Sequence, residues 1–285
     1  MRSRLLINFL LILALGSLGA YLFWEREPSS ASPDRLVMLD RDKIARVSIL
    51  KNKDFKIEMT RNSQTWLITK PFRARANSEV VKLVLDLTDA FIIDEIKKSP
   101  EYLGFNPPQY TVSLDEETIK FGSINDVTNE QYIQVGDRTF LTKTHHGYNL
   151  PHDPIKVIDR RILGPEENPI LFKASSWSAQ RQEGQLWRVM AADDNLAAIA
   201  SSKIKIWVAG WRSTAATKIV LTSDASGPVQ ESLSITFENG KQVVISIKKD
   251  TDGYLLRRSD ETIAYRVGKD AGLRLIDPYE VARKL

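Results

Sequence analysis

The three histidines of the chain and a neighbouring aspartate are the side chains whose types and spacing come closest to a reactive site. His145, His146 and His152 lie within eight residues, and Asp153 follows directly. Imidazole nitrogens and carboxylate oxygens are common zinc ligands, so such a cluster is one way to hold a metal ion. However, adjacent side chains on a strand point to opposite faces, and no HExxH spacing is present. We therefore expect a polar loop over residues 144–154 that holds no metal.

Neighbouring carboxylates are the second candidate for chemistry, because acid–base catalysis often uses two of them. The chain offers Asp193–Asp194 and Glu166–Glu167. Adjacent side chains rarely converge on one substrate, so we interpret both pairs as helix caps or solvated loop residues. The sequence DTDG at residues 250–253 resembles the start of a calcium loop but lacks the later ligands, and we interpret it as a hairpin turn.

Motifs of other enzyme classes are missing from the sequence. It contains no GxSxG elbow and no glycine-rich phosphate loop, and it has no cysteine for a thiolate nucleophile or a disulfide. We therefore predict a protein that is not an enzyme, with no catalytic, cofactor-binding or metal-binding residue and no cofactor. A hydrolase stays an open alternative if His145 or His152 converges with Asp153 or Asp159.

The charge of the chain is nearly balanced. Forty Lys and Arg residues face 36 Asp and Glu residues, which gives a formal net charge of +4. The basic residues occur as scattered pairs such as Arg160–Arg161 and Arg257–Arg258, which we interpret as solvated edges of strands and helices. We therefore predict no nucleic-acid partner.

Tryptophans could provide stacking surfaces for a carbohydrate, but most of them lie at positions typical of a core. Trp66 and Trp187 occupy matching places in two similar segments, and Trp207 and Trp211 continue an apolar helical stripe. Trp177 lies in a polar run and is the best candidate for an exposed aromatic side chain.

The start of the chain predicts a membrane anchor. Arg2 and Arg4 precede an uncharged run of twenty residues from Leu5 to Trp24, which is long enough to cross a bilayer as a helix. The two arginines place the N-terminus in the cytoplasm and the bulk of the chain in the periplasm of a bacterial inner membrane. A cleaved signal peptide is the alternative, although its apolar core is usually shorter.

The sequence divides the chain into four parts. Residues 1–24 form the cytoplasmic tip and transmembrane anchor, and residues 25–43, rich in Pro and Ser at their start, form a stalk linker. Residues 44–164 and 165–285 form two modules, joined near the GPEENP sequence at 164–169.

The two modules repeat one pattern of short alternating runs and a capped helix. QTWLI at residues 64–68 returns as QLWRV at 185–189, and the hairpin at residues 132–140 returns at 254–263. Asn77 begins the first helix, and Asp194–Asn195 begins the second. A further short helix is expected at residues 155–162. We therefore predict an α+β fold with an N-terminal transmembrane helix and two tandem modules, each a mostly antiparallel sheet with a packed helix.

Several of these segments together resemble a known family. The chain is similar to the bacterial domain of unknown function 4340 over residues 47–163, and more weakly beyond. The resemblance rests on Trp66-Leu67-Ile68, Lys70-Pro71, Ala76-Asn77, YLGFNPP at 102–108, Phe121-Gly122, the 132–140 hairpin and DRRIL at 159–163. It implies an inner-membrane protein that faces the periplasm, in some members associated with gliding-motility-type ABC transport systems. It carries no catalytic residue.

The predicted membrane anchor, the repeated sheets and the family resemblance together lead to two hypotheses on function. The first is a non-enzymatic single-pass membrane protein that serves as an accessory or scaffold subunit of an ABC-type transport or envelope-assembly complex. It binds its partner through free strand edges, and the resemblance implies that this partner is an ABC permease. The second is a periplasmic lipid- or glycan-binding module without a transporter partner, whose ligand lies in the cleft between the two sheets.

Overall fold

The computed structural model describes residues 13, 15–17, 34–51, 55–97, 101–191, 198–221 and 229–284. Of the predicted anchor, only residues 13 and 15–17 belong to this set, and they are helical. No helix within the described ranges is long and apolar enough to cross a membrane, which takes about 20 residues. The predicted transmembrane helix and the inner-membrane location inferred from it are therefore corrected, and neither is retained.

The fold is mostly β, so the predicted α+β class is wrong. Two large antiparallel sheets contain seventeen strands, whereas the longest described helix has 13 residues. The helix expected at residues 155–162 is only the 3-10 turn Pro154–Val157, because the residues after it are extended and pair with both sheets. The period-two runs were read correctly as strands, but helical segments contribute less to the fold than predicted.

The first sheet has nine strands in the order β4-β3-β2-β1-β6-β7-β8-β9-β5. All neighbouring strands are antiparallel. Their bounds are β1 Arg46–Lys51, β2 Phe55–Asn62, β3 Thr65–Lys70, β4 Ala74–Arg75, β5 Asp94–Ile96, β6 Tyr110–Leu114, β7 Glu117–Asn125, β8 Glu130–Val135 and β9 Arg138–Lys143.

The second sheet has eight strands in the order β12-β11-β10-β14-β15-β16-β17-β13, again with antiparallel neighbours. Their bounds are β10 Pro169–Lys173, β11 Trp177–Arg181, β12 Trp187–Ala191, β13 Lys218–Leu221, β14 Glu231–Phe237, β15 Gln242–Lys249, β16 Gly253–Arg258 and β17 Ile263–Gly268.

The two sheets have the same strand order once the short strand β4 is set aside. β10, β11 and β12 take the places of β1, β2 and β3; β14 to β17 take those of β6 to β9; and β13 takes that of β5. The first sheet uses residues 46–143 and the second uses residues 169–268. The domain boundaries given above stay predictions.

Five α-helices are described beside the four helical residues near the start of the chain. They are α1 Ser78–Leu85, α2 His145–Tyr148, α3 Ser201–Ser213, α4 Lys269–Ile276 and α5 Pro278–Lys284. The predicted cap of α1 is confirmed, because the Asn77 side chain accepts a hydrogen bond from the Glu79 N–H. The predicted start of the second helix at Asp194–Asn195 lies outside the described residues, and α3 begins after Ala200.

An aromatic cluster forms the core between the second sheet and α3. Trp207 and Trp211 are buried, and both indole N–H groups donate to the main-chain oxygen of Leu275 at 3.0 Å. The Phe172 ring packs against both indoles at centroid distances of 4.6 and 5.8 Å. Trp177 is only 8% exposed and joins the cluster, so the prediction of an exposed aromatic side chain there is wrong.

Two helical glycines provide a matched test of this packing. A Cβ at Gly272 would overlap the ring of Tyr254, whereas a Cβ at Gly210 meets no atom within 4 Å among the described residues. We expect Gly272→Ala to lower the free energy of unfolding by about 1–3 kcal/mol through overpacking. Gly210→Ala should leave it unchanged or raise it by up to about 1 kcal/mol, because alanine favours the helix.

Urea unfolding of the two variants and the wild type measures both effects. Equal changes in the two variants would contradict the close packing of α4 on β16.

Candidate binding cleft at the sheet junction

The segment that links the two sheets is held by main-chain contacts to both of them. Ile158 forms a β-bridge with Ala76, which follows β4, and Arg161 forms one with Ala215, which precedes β13. The N–H of Asp159 donates to the main-chain oxygen of Arg75 at 2.9 Å. The link is thus an extended, strand-like connection that contacts both sheets.

The outer edge of β4 is covered by the turn between β16 and β17. The N–H of Thr262 donates to the main-chain oxygen of Arg73 at 2.8 Å, and the N–H of Arg73 donates to the Thr262 hydroxyl oxygen at 2.8 Å. The N–H of Arg75 donates to a Glu261 carboxylate oxygen at 3.2 Å. The expectation of a free edge for strand addition is therefore wrong at β4, because the second sheet already satisfies these polar groups.

Arg75 crosses the junction as a buried cation. Its Nε donates to Oε1 of Glu261 at 2.8 Å, and its Nη1 lies 3.4 Å from Oε2 of Glu167. Its Nη2 donates to the Tyr265 hydroxyl at 3.1 Å and to the main-chain oxygens of residues 161 and 162 at 2.7 and 3.1 Å. A side chain of the first sheet thus has most of its hydrogen-bond partners in the second sheet and in the link.

Arg258 is a second buried cation, and its side chain is fully inaccessible to solvent. Its Nη1 and Nη2 donate to the two carboxylate oxygens of Glu167 at 2.9 and 2.6 Å. Its Nε and Nη2 donate to Asp260 at 2.9 and 3.0 Å, and Nη1 also donates to the main-chain oxygen of Ile162 at 2.9 Å. Two bidentate pairs therefore fix this guanidinium, a geometry that suits arginine and not lysine.

Two carboxylates of this network, Glu167 and Asp260, stay ionised well below neutral pH. Burial alone would raise the pKa of Glu167, but the hydrogen bonds and charge of Arg258, together with the charge of Arg75, lower it to about 2. Burial opposes ionisation of Asp260 as well, and there Arg258 and Lys241 lower the pKa below its usual value. Burial and the neighbouring Glu261 raise the pKa of Tyr265. The Tyr265 hydroxyl group donates a hydrogen bond to the Glu261 carboxylate.

A cleft of about 680 Å³ opens directly above the network, between the sheets. The cleft is lined by residues from the β2–β3 turn, the segment around β4, the link, and the β14–β15 and β16–β17 turns. Its lining includes Asn62, Ser63, Gln64, Thr65, Trp66, Leu67, Arg73, Arg75, Ala76, Ser78, Asp159, Arg161, Gly164, Pro165, Glu166, Glu167, Asn239, Lys241, Asp260 and Glu261.

Most charged groups of the cleft are already paired with each other. Besides the network, Arg161 makes a bidentate pair with Asp159, and Lys241 contacts Glu167 and Asp260 at 3.3 and 2.8 Å. Among the described residues, the remaining two charged side chains, on Arg73 and Glu166, are exposed and have no ion pair. The cleft therefore offers many hydrogen-bonding groups but little net charge.

The three histidines lie in and after a short helix, away from the cleft. His145 and His146 belong to α2, not to a loop, and their rings contact each other at a centroid distance of 4.0 Å. Burial and the neighbouring His145 lower the pKa of His146 to about 4. His152 approaches Lys156, with Nε2 3.2 Å from Nζ. None of the three lines the cleft.

The acidic residues near the histidines are used for structure. Asp153 caps the 3-10 turn by accepting a hydrogen bond from the Ile155 N–H, and Asp159 pairs with Arg161. In the part of the chain that the structure describes, no group of three or more His, Asp or Glu side chains is arranged to hold a metal ion. The convergence on which the hydrolase alternative depended is therefore missing from these contacts.

The structure describes two of the other three acidic segments singled out from the sequence. The turn at residues 250–253 is confirmed as a hairpin, since the Asp250 side chain accepts hydrogen bonds from the N–H groups of Asp252 and Gly253. Of the pair Glu166–Glu167, the first residue is exposed but the second is buried in the network. Asp193–Asp194 lies outside the described residues.

The sequence interpretation missed the charged residues of the junction. The prediction that Arg258 is a solvated edge residue is wrong, because alternate residues of β16 point to one side and Arg258 shares that face with the buried Leu256. That alternation is the signal that would have placed it in the core. Arg75 lies between two alanines and offers no comparable signal.

Comparison of the chain with protein-family models, with curated proteins and with solved structures found no match. The resemblance to the domain of unknown function 4340 therefore stays a prediction.

The buried carboxylate of Glu167 predicts acid sensitivity. Its pKa of about 2 in the folded state lies below the ordinary value of 4.5, so it stabilises the fold above about pH 4.5 and loses this effect as the pH falls toward 2. The difference amounts to about 3 kcal/mol. We expect Glu167→Gln to be less stable than the wild type at pH 7 but to lose less stability between pH 7 and pH 3.

Urea unfolding at several pH values measures this dependence. The adjacent exposed residue provides the control, since Glu166→Gln should keep the wild-type pH dependence. An unchanged acid sensitivity in Glu167→Gln would contradict the role of the buried pair.

Proposed function

We propose that this protein is a non-enzymatic binding protein that holds a polar ligand in the junction cleft between its two sheets. The observation that carries the proposal is the cleft itself, whose volume of about 680 Å³ is typical of sites for small molecules. It lies where two structural units meet, which is a common place for such sites.

The state of the charged groups favours binding over acid–base catalysis. Glu167 and Asp260 are hydrogen-bonded to Arg258, and their lowered pKa values keep them ionised at neutral pH. A general acid needs a pKa near the working pH, which these two carboxyl groups do not have, and the exposed Glu166 has no acid–base partner among the described residues. The two paired carboxylates instead fix the position of the cleft walls.

The lining combines hydrogen-bonding groups that a polar ligand can use with a larger apolar surface. Asn62, Gln64 and Ser78 bring amide and hydroxyl groups to the cleft, and all three residues are exposed. Trp66, the only aromatic residue of the lining, is 7% exposed and presents little apolar surface. Because a lipid would leave these hydrogen-bonding groups unpaired, a polar ligand is the alternative that we propose. The predicted role beside an ABC-type transporter rests on the family resemblance alone and stays a prediction.

A glutamine in each half of the repeat provides a matched test. Gln64 lines the cleft, whereas Gln185, at the corresponding place before β12, is exposed outside it. The probes are maltotriose, trialanine and, as an apolar competitor, dodecanoate, with binding measured by isothermal titration calorimetry. We expect at least one polar probe to bind, and Gln64→Trp to abolish its binding by filling the cleft.

Gln185→Trp should leave that binding unchanged. Binding of dodecanoate alone, or polar binding that Gln64→Trp does not affect, would contradict the proposal.

A further inference from the structure

The junction cleft holds two charges that the fold itself does not use. Four basic and five acidic side chains line it, and the structure pairs all of them except Arg73 and Glu166. Within the described ranges, neither of these two forms an ion pair or a side-chain hydrogen bond, and both are exposed. The cleft thus presents one available cation and one available anion beside paired charges, neutral polar side chains and a larger apolar wall surface.

Arg73 has a fixed main chain but a free side chain. Its N–H and its main-chain oxygen are both held by Thr262 at 2.8 Å, across the junction. A guanidinium on such an anchored backbone is well suited to bind a carboxylate with two parallel hydrogen bonds.

Glu166 occupies a comparable place on the link. It stands between Pro165, which restricts the main chain, and Glu167, which is held by Arg258 and by the N–H of Gly164. Its carboxylate is therefore carried by a fixed segment and is free to accept hydrogen bonds from an ammonium group.

We infer that the ligand of the junction cleft is a short peptide with free termini, whose carboxylate binds Arg73 and whose ammonium group binds Glu166. This inference rests on the proposed function. The amide side chains of Asn62 and Gln64 complement peptide N–H and C=O groups. A neutral saccharide would leave both charges unused, and a polyanion would meet a lining with one more acidic than basic side chain.

The test combines capped peptides with charge-removing variants. Trialanine, N-acetyl-trialanine and trialanine amide are titrated into the wild type, Arg73→Gln and Glu166→Gln by calorimetry. For the wild type, we expect blocking either end to weaken binding by about tenfold or more, since each block removes a charge-assisted hydrogen bond.

Each variant should lose discrimination at one end only. Arg73→Gln should bind trialanine and its amide equally but still reject the acetylated peptide, and Glu166→Gln should show the reverse pattern. The exposed residues Arg188 and Glu183, which lie outside the cleft, provide controls. Arg188→Gln and Glu183→Gln should keep the wild-type pattern at both ends.

Free alanine separates a peptide from a single amino acid. A cleft of this volume is expected to bind trialanine more tightly than alanine, and equal affinity would overturn the assignment to a peptide. If maltotriose binds and Gln64→Trp blocks it, while the capped and free peptides behave alike, the inference fails but the proposed function holds. If no polar probe binds, both fail.

Discussion

Burial of two arginines at the junction is the constraint on which the arrangement of the two sheets depends. A buried charge is tolerated only where other charges and hydrogen bonds compensate the loss of water. Arg75 extends from the first sheet and donates hydrogen bonds to Glu261 and Tyr265 of the second sheet. Arg258 of the second sheet donates hydrogen bonds to Glu167 of the link. Since neither sheet alone can satisfy these groups, the network ties sheet, link and sheet together.

The cleft follows from that arrangement. The network fills the base of the junction with paired charges, so the walls above it are held at fixed positions while their outer groups remain free to bind a ligand. Polar groups that are already held in position lose less conformational entropy when a ligand binds. The same pairing keeps Glu167 and Asp260 ionised, so both remain charged partners of Arg258 at neutral pH.

Local patterns in the sequence predicted local structure well and the junction poorly. Strand alternation, the Asn77 cap and the turn at residues 250–253 depend on neighbouring residues, and the structure contains them. The predicted share of helix is too high, because most of residues 155–162 form a 3-10 turn and an extended segment instead of a helix. The junction depends on residues far apart in sequence: Arg75 and Glu261 are separated by 186 positions, and no local pattern connects them. Within the junction, only the alternation of side chains along β16, which puts Arg258 on the same face as Leu256, indicates from sequence that a charged residue is buried.

A double-mutant cycle across the junction tests the account most directly. The free energy of unfolding would be measured in urea for the wild type, Arg75→Met, Glu261→Gln and the double variant. Each single change leaves a buried polar partner uncompensated, so we predict that the double variant is more stable than the sum of the single effects implies, by at least about 1 kcal/mol. Additive effects within about 0.5 kcal/mol would show that the two sheets are not coupled through this pair.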